Sequence, residues 1–273
     1  MQENLTIIRP PTKANKLDLS ELWEYRELLW TMMMRDIKVR YKQTVLGVAW
    51  AIIQPLTIML IFTLIFGRLA KIPSDGLPYP VFVFSGLIAW NFFSSAVSSG
   101  GASMVSASGM ISKVYFPRLV VPLASIGVSV IDFTISLVLL FIIMLIYAIA
   151  PSWQLVFFPL FTIGLALAAI GTSSWLTSVT VVYRDFRFVL PFMMQIWMYI
   201  TPVIYPVSFI PENYRWVIYL NPVLGWIDGI RAAVLGTPID WLAVFLSAIF
   251  TAVILYFGLR YFERSERRFA DVI

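Results

Sequence analysis

Few residues in this sequence could support covalent or metal chemistry. The chain contains no Cys and no His, which excludes thiol nucleophiles, imidazole bases, disulfides and the usual zinc and haem ligands. Asp132 stands well inside a long apolar segment, where an ionisable side chain is a functional candidate. A structural hydrogen bond to a Ser or Tyr on a neighbouring helix is the alternative, and a proton relay normally needs several such carboxylates.

The sequence shows no catalytic or nucleotide-binding motif. The glycine-rich stretch 100–109 lacks the Gly-Lys-Ser/Thr ending that places a lysine on phosphates. A Ser-centred nucleophile elbow is missing as well, and no carboxylates are spaced for a metal. We therefore expect no enzyme activity and no bound metal in this chain, and any ATP that drives it must be hydrolysed on a separate chain.

Six long apolar segments account for most of the sequence. A helix needs about 20 mostly apolar residues to cross a hydrocarbon core of about 30 Å, and each segment is long enough. With 60% hydrophobic and 13% charged residues, the chain is predicted to be an all-α integral membrane protein with one six-span domain at 47–260. The predicted spans are 47–67, 81–105, 119–150, 155–183, 188–207 and 239–259.

Basic residues divide the loops into two sides. Of the 20 Lys and Arg residues, sixteen lie in 1–46, 106–118, 184–187 and 260–273, which share one side of a six-span protein. Positive charge is retained in the cytoplasm, so both termini are predicted to be cytoplasmic, with a basic tail at 261–273. The net charge of +5 comes mainly from these membrane-flanking residues and does not indicate nucleic-acid binding.

The segment 1–46 is predicted to be a cytoplasmic tail followed by an amphipathic interface helix. Asp18 can cap this helix, and Glu21 three residues later completes a capping-box pattern. Such a helix suits a membrane surface, either as an anchor alone or as a cuff that also touches a cytoplasmic partner. Apolar residues recur at helical spacing at Leu22, Leu29, Trp30, Met33, Ile37 and Tyr41, with Arg26, Arg35, Lys38, Arg40 and Lys42 among or opposite them.

Two groups of side chains suggest a translocation path. Polar residues in the second span are too frequent for a lipid-facing helix and indicate contact with other helices or a hydrated cavity; they are Asn91, Ser94, Ser95, Ser98 and Ser99. Aromatic rings pack against sugar rings, although interfacial belts and core packing are the more common use of aromatic residues in membrane proteins. The aromatic path candidates are Trp90, Phe93, Trp197, Tyr199 and Tyr205.

The segment before the last span is interrupted. Residues 215–235 are nearly long enough to cross a membrane but contain Asn221-Pro222, Asp228 and Arg231. Proline breaks a helix and restricts the residue before it, so two short helices that re-enter from the outer face fit better than a seventh span. Asp228 and Arg231 are three residues apart and can pair on one helical face. We expect an external gate at about 207–236.

Several motifs, in order along nearly the whole chain, resemble those of type-2 ABC transporter permeases that export polysaccharides. Together they are far more specific than any one alone. They are Arg35-Asp36-Ile37-Lys38-Val39-Arg40-Tyr41-Lys42-Gln43 with Leu46-Gly47, Trp50 and Pro55; Lys113-Val114-Tyr115-Phe116-Pro117-Arg118 with Pro122 and Asp132-Phe133; Tyr183-Arg184-Asp185-Phe186; Thr201-Pro202-Val203-Ile204-Tyr205-Pro206; and Asn221-Pro222 with Arg231.

The resemblance implies an O-antigen, capsular polysaccharide or teichoic acid exporter in the bacterial inner membrane. Two permease copies would pair with two copies of a separate ATPase, which binds the ATP and Mg, so this chain itself would need no cofactor. A lipid-linked polysaccharide would pass through a channel at the permease dimer interface. The loop at about 104–114 would couple to the ATPase, and the external gate at about 207–236 would be a periplasmic gate. The coupling candidates are Met104, Met110 and Lys113, flanked by Arg35, Lys38 and Arg40 on the N-terminal helix.

Three alternatives remain open from the sequence. A small-molecule or lipid efflux permease of the same class would need no sugar polymer. An ion-coupled secondary carrier would work without an ATPase, but the chain shows no evident inverted repeat. A membrane enzyme that makes glycans would need carboxylates at a donor site near the outer face, where the candidates are Asp75, Glu212, Asp228 and Asp240.

Overall fold

The computed structural model describes residues 19–42, 48–111, 113–183 and 185–272. Helices and connecting turns make up these residues, without a β-strand among them. Asp18, Gln43, Leu46-Gly47 and Arg184 lie outside the described residues. The helices are α1 (Leu19–Glu24), α2 (Arg26–Lys42), α3 (Val48–Phe62), α4 (Tyr79–Ser106), α5 (Ser108–Ile111), α6 (Val120–Ile146), α7 (Phe158–Val182), α8 (Phe186–Ile200), α9 (Glu212–Tyr219), α10 (Leu224–Leu235) and α11 (Trp241–Val272).

Five of the predicted spans are helices long and apolar enough to cross a membrane, which confirms an all-helical integral membrane protein. The first combines α3 with a π-helical turn at Thr63–Leu69, and the fourth begins in a 3-10 turn at Trp153–Phe157 that runs into α7. The five segments are Ala49–Leu69, Tyr79–Ser106, Val120–Ile146, Trp153–Val182 and Trp241–Glu266.

Helix α8, at the place of the predicted fifth span, is shorter than expected. Its 15 residues extend about 22 Å at the usual helical rise, against about 30 Å for a hydrocarbon core. The helix ends because Pro202 disfavours a helical conformation at the preceding residue, and Thr201 is extended, with φ −84° and ψ 137°. The predicted helical segment 188–207 is therefore too long at its C-terminal end.

Helix α4 is the centre of the molecule and most of it is buried. It contacts α3 and α6 on one side, α7 and α8 on another, and α10 near its N-terminal half. Small residues let these neighbours approach, and the bulky rings of Phe82, Phe84 and Phe93 fill the spaces between them. By contrast, α3 and α8 touch few other helices and expose wide apolar faces.

Helices α7 and α11 approach most closely where two glycines meet. A Cβ added at Gly258 would lie 2.2 Å from the carbonyl oxygen of Gly171, and one added at Gly171 would lie 2.7 Å from the backbone of Leu255. Small residues at helix contacts allow such backbone proximity in membrane proteins. The sequence shows these glycines but does not show that they face each other.

Gly258→Ala is expected to lower the free energy of unfolding by about 1–3 kcal/mol, because the added methyl group forces α7 and α11 apart. The measurement is the thermal unfolding midpoint of the purified protein in detergent. Gly109→Ala is the matched control, since a Cβ there meets no atom within 4 Å. Equal midpoints for both variants would contradict this packing of α7 on α11.

The two short helices predicted before the last span are confirmed as α9 and α10. Asn221 and Pro222 lie in the break between them, as expected. Helix α10 is buried along nearly its whole length against α4, α7 and α11, whereas every residue of α9 is at least partly exposed. Their re-entry into the membrane stays a prediction.

Helix α2 and the C-terminal part of α11 both contribute to a second apolar core, formed by Met32, Met104, Phe116, Phe262 and Phe269 with their neighbours. Helix α2 packs along α6 through Leu29 and Met33, while Trp30, predicted on the same face, is 58% exposed. One residue along an α-helix rotates the side chain by about 100°, so Trp30 points away from the face that carries Leu29 and Met33. The predicted tail 261–273 is helical through Val272 as the end of α11.

Candidate functional site: gate, path and coupling surfaces

Arg231 fixes the segment that follows α8. The side chain is buried, and Nη2 donates to the carbonyl oxygens of Pro202 at 3.1 Å and Val203 at 2.9 Å. Nη1 donates to Asp228 Oδ1 at 3.2 Å. The guanidinium lies 4.1 Å from the ring centroid of Phe82 on α4, a cation–π contact. A buried arginine thus joins α10, α4 and the end of α8.

The same segment is held from two further directions. Tyr79 Oη, at the start of α4, donates to the carbonyl oxygen of Ile204 at 2.8 Å. Asn221 Nδ2 donates to Thr201 Oγ1 at 2.8 Å, and Asn221 Oδ1 accepts from Trp197 Nε1 at 3.1 Å. We call residues 201–204 the anchor segment. Beyond the end of α8, the carbonyl groups of Pro202, Val203 and Ile204 accept hydrogen bonds from side chains of α10 and α4.

The four gate candidates therefore lie close together, in a buried contact between the start and middle of α10 and the anchor segment. Asn221 Oδ1 also accepts from Val223 N at 3.2 Å, so the turn around Pro222 is closed by the asparagine side chain. Asp228 and Arg231 pair as predicted. Sequence reasoning missed Tyr79 and Gly86. A Cβ at Gly86 would lie 2.4 Å from Arg231 Nη2, so this glycine makes room for the guanidinium, a contact that only the tertiary structure reveals.

A second polar contact ties α9 to α11. Tyr219 Oη donates a short hydrogen bond to the carboxylate of Asp240. Burial, followed by this bond, raises the pKa of Tyr219 to about 12. The hydroxyl therefore stays protonated and keeps donating over the physiological range. Asp240 also accepts from the backbone N–H groups of Leu242 and Ala243 at 3.1 Å, which caps α11.

The aromatic path candidates divide into an interior and an exposed group. Trp197 contacts Trp90 and Phe93 with ring centroids 6.2 Å and 5.3 Å apart. Trp90 and Phe93 are buried within the chain, where they serve as packing residues. Tyr199 is 47% exposed, and Tyr205 Oη donates to its carbonyl oxygen at 3.0 Å. The path role stays a prediction, and burial favours Tyr199 over Trp90 and Phe93.

The coupling candidates also differ in exposure. Met104 belongs to the last turns of α4 and is fully buried in the second core, so its predicted contact with a partner chain is not available in this structure. Met110, on the four-residue helix α5, is partly buried, and Lys113 is exposed. Tyr115, which belongs to the motif at 113–118 but was not among the coupling candidates, is 83% exposed. Arg118 binds the end of α11 through Glu266.

These exposed residues form one surface with α1. Leu22 of α1 packs against the second core, which also contains Ile111 and Phe116 on either side of this loop. The Glu21 carboxylate, followed by partial burial, raises the pKa of the Tyr115 hydroxyl above its ordinary value. Trp23 on α1 is exposed as well. We define the coupling surface as the exposed residues that follow α4, which are Gly109, Lys113, Val114 and Tyr115.

The basic residues of α2 are engaged to different degrees. Arg35 pairs with the adjacent Asp36 at 2.8 Å. Arg40 Nη2 lies 2.8 Å from Asp132 Oδ2 on α6, so its predicted contact with an ATPase competes with an internal ion pair. Lys38 is exposed and forms no salt bridge within the described ranges.

Asp132 has a structural partner, as the alternative explanation expected. Tyr41 Oη donates a short hydrogen bond to Asp132 Oδ1, and Arg40 pairs with the other carboxylate oxygen. Burial, followed by this hydrogen bond, raises the pKa of Tyr41 well above its ordinary range, so the hydroxyl remains a donor. The carboxylate therefore holds the end of α2 against the middle of α6.

Asp132→Asn is expected to leave export within about twofold of the wild type, because asparagine keeps the shape and hydrogen-bonding capacity of the side chain and only the ion pair with Arg40 is lost. The paired side chains of Arg40 and Asp132 are 47% and 22% exposed, and asparagine still accepts from Tyr41. The initial export rate measures the effect. A proton relay through Asp132 would instead require loss of export in this variant, and that result would contradict the structural role.

Comparison with known proteins identifies the family. Residues 27–235 match the family described as ABC-2 type transporter. The chain is 28% identical over 252 residues to the O-antigen export system permease protein RfbA of Klebsiella pneumoniae, covering 90% of this chain and 95% of that protein. The RfbA protein of Myxococcus xanthus is 28% identical over 258 residues, covering 93% and 98%. The polysialic acid transport protein KpsM of Escherichia coli is 24% identical over 250 residues, covering 86% and 92%. Because the family match extends over more than half of the sequence, this chain belongs to the ABC-2 type transporter family.

Proposed function

We propose that this chain is the membrane-spanning permease subunit of an ATP-driven exporter that moves a lipid-linked polysaccharide across the bacterial inner membrane. The observation that carries the proposal is the similarity to O-antigen export permeases over at least 90% of the chain. Five long apolar helices and an absence of nucleotide-binding motifs in the sequence agree with a permease that relies on a separate ATPase.

The proposed topology has six spans with both termini in the cytoplasm. Helix α8 would be the short fifth span, and a bilayer can thin locally around a helix of 15 residues. The uneven distribution of Lys and Arg supports this orientation. The coupling surface and the end of α11 then face the cytoplasm, and α9 with the break at Asn221-Pro222 faces the periplasm.

The proposed assembly contains two copies of this chain and two ATPase subunits. Helices α3 and α8 support it, because both contact few other helices and expose wide apolar faces, with Leu60 at 62% and Phe192 at 63%. A second copy seated against these faces would enclose a channel lined by Tyr199 and neighbouring residues. The coupling surface would receive the ATPase, whose closure would move α3 and α8.

The experiment is deletion and complementation in the native host, with glycan measured at the cell surface and inside the cell. Loss of surface polysaccharide with intracellular accumulation of the lipid-linked form, restored by the wild-type chain, is expected. Normal surface polysaccharide in the deletion strain would contradict the proposal. If that strain instead became sensitive to small toxic compounds, the alternative of a small-molecule efflux permease would be supported.

A further inference from the structure

A hollow of about 390 Å³ lies between α2, α3, α4 and α6. It is on the side of α4 away from the ring cluster of Trp90 and Trp197, because Asn91 and Ser95 face it from α4. Gln54 and Trp50 of α3, both exposed, form its rim. Its volume is within the range of roughly 300–1,000 Å³ that is usual for small-molecule sites.

The polar groups of this hollow are incompletely satisfied. The side-chain amides of Gln54 and Asn91 and the hydroxyl of Ser136 form no hydrogen bond with any residue that the structure describes. Ser95 Oγ is an acceptor for Ser129 Oγ at 3.0 Å. Polar side chains near the middle of apolar helices are costly unless they find a partner. These groups therefore require water or a polar ligand.

The charged residues of the lining favour a neutral ligand over an anion. Arg40 and Asp132 both border the hollow and pair with each other at 2.8 Å, so their charges cancel. An anion such as a phosphate would have to compete with Asp132 for the arginine. A neutral ligand rich in hydroxyl groups has no such cost, and amide, hydroxyl and carboxylate groups are its natural hydrogen-bond partners.

The apolar part of the lining contains aromatic side chains against which a sugar ring could pack. Trp50 and Phe133 contribute aromatic rings beside the polar groups. The C–H face of a pyranose ring packs on such surfaces while its hydroxyls reach donors and acceptors around the edge. The hollow thus combines both kinds of contact that a sugar needs.

We propose that this hollow is a binding site for a sugar residue of the exported glycan. The inference rests on the proposed function, because it takes the glycan as the source of the sugar. The sugar would then bind within a single chain, between α3 and α6. This site is separate from the exposed face of α8 around Tyr199, which we propose to line the channel between two copies.

The test uses single cysteines, which are informative because the chain contains none of its own. Gln54→Cys is made in the full chain with its native partners, and membranes are prepared from cells that synthesise the glycan and from cells blocked in its first sugar transfer. N-ethylmaleimide is the probe. Bound ligand slows alkylation by the factor 1 + [L]/Kd, which is about fivefold or more for a mostly occupied site. Asn213→Cys, exposed on α9, is the matched control and is expected to react equally in both membranes.

A second variant tests the contacts themselves. Gln54→Leu combined with Asn91→Leu removes both amides and is expected to lower export roughly thirtyfold, since each hydrogen bond contributes about 1 kcal/mol and about 1.4 kcal/mol is a factor of ten. Equal alkylation of Gln54→Cys in both membranes, together with normal export by the double variant, would overturn the sugar site. Deletion of the chain would still abolish export in that case and keep the proposed function. Export that survives deletion would overturn both.

Discussion

Replacing Arg231 with methionine is expected to lower export by more than tenfold and to destabilise the protein by about 3 kcal/mol, the usual cost of breaking a buried ion pair. Methionine fills a similar volume but leaves the carbonyl oxygens of Pro202 and Val203 without their donor and Asp228 without its counter-charge. The anchor segment would separate from α10, and motion of α8 would no longer reach the proposed gate. Export rate per folded chain and thermal stability measure the two effects.

Two further variants separate this role from general misfolding. Tyr79→Phe removes one hydrogen bond, to Ile204, worth about 1 kcal/mol, and should give a stable protein with a smaller loss of export. Arg68→Met, at an exposed arginine at the end of the π-helical turn, should change neither quantity. Normal export by Arg231→Met would show that the anchor segment does not connect α8 to the gate.

Substitutions on the coupling surface are expected to separate ATP hydrolysis from export. Tyr115→Ala removes the aromatic side chain of that surface, and Lys113→Glu reverses its charge. Interface energy is concentrated in a few aromatic and charged residues, each worth roughly 2 kcal/mol or more, so export should fall at least about tenfold. Hydrolysis by the assembled complex should continue. Both rates are measured on the same preparation.

Trp153→Ala is the matched control for Tyr115→Ala. Trp153 is 74% exposed but lies between α6 and α7, at the opposite end of the proposed topology and outside the proposed gate, and its loss should leave export and hydrolysis unchanged. Neither coupling substitution removes a buried contact, so thermal stability should be preserved in both. Wild-type export by Tyr115→Ala and Lys113→Glu would move the ATPase contact to another part of the chain.

The spans were predictable because hydropathy averages over many residues. Five predicted segments coincide with long helices, with ends that differ by a few residues. The end of α8 required one local rule, the effect of Pro202 on Thr201, that hydropathy does not contain. Proline acts through backbone geometry at both places. The rule was applied at Asn221-Pro222, where the break was predicted correctly, but it was not applied at Pro202, so the end of α8 was not predicted.

The faces of the helices were harder to predict than their extent. In a membrane protein both lipid-facing and buried positions are apolar, so periodicity gives little indication of which side of α2 carries Trp30 or whether Met104 is accessible. Asp132 was identified as unusual, and a tyrosine partner was among the expectations, but its pairing with Arg40 needs the packing of α2 on α6. The contact between Gly171 and Gly258 likewise depends on how α7 packs on α11, which the sequence does not show.

The most direct test of the central claim is purification of this chain from its native membrane, followed by an ATPase assay on the chains that accompany it. The account predicts a nucleotide-binding subunit in equal amount with this chain, with hydrolysis stimulated by the lipid-linked glycan of the host. A chain that purifies without such a subunit and drives transport under an ion gradient alone would contradict the account.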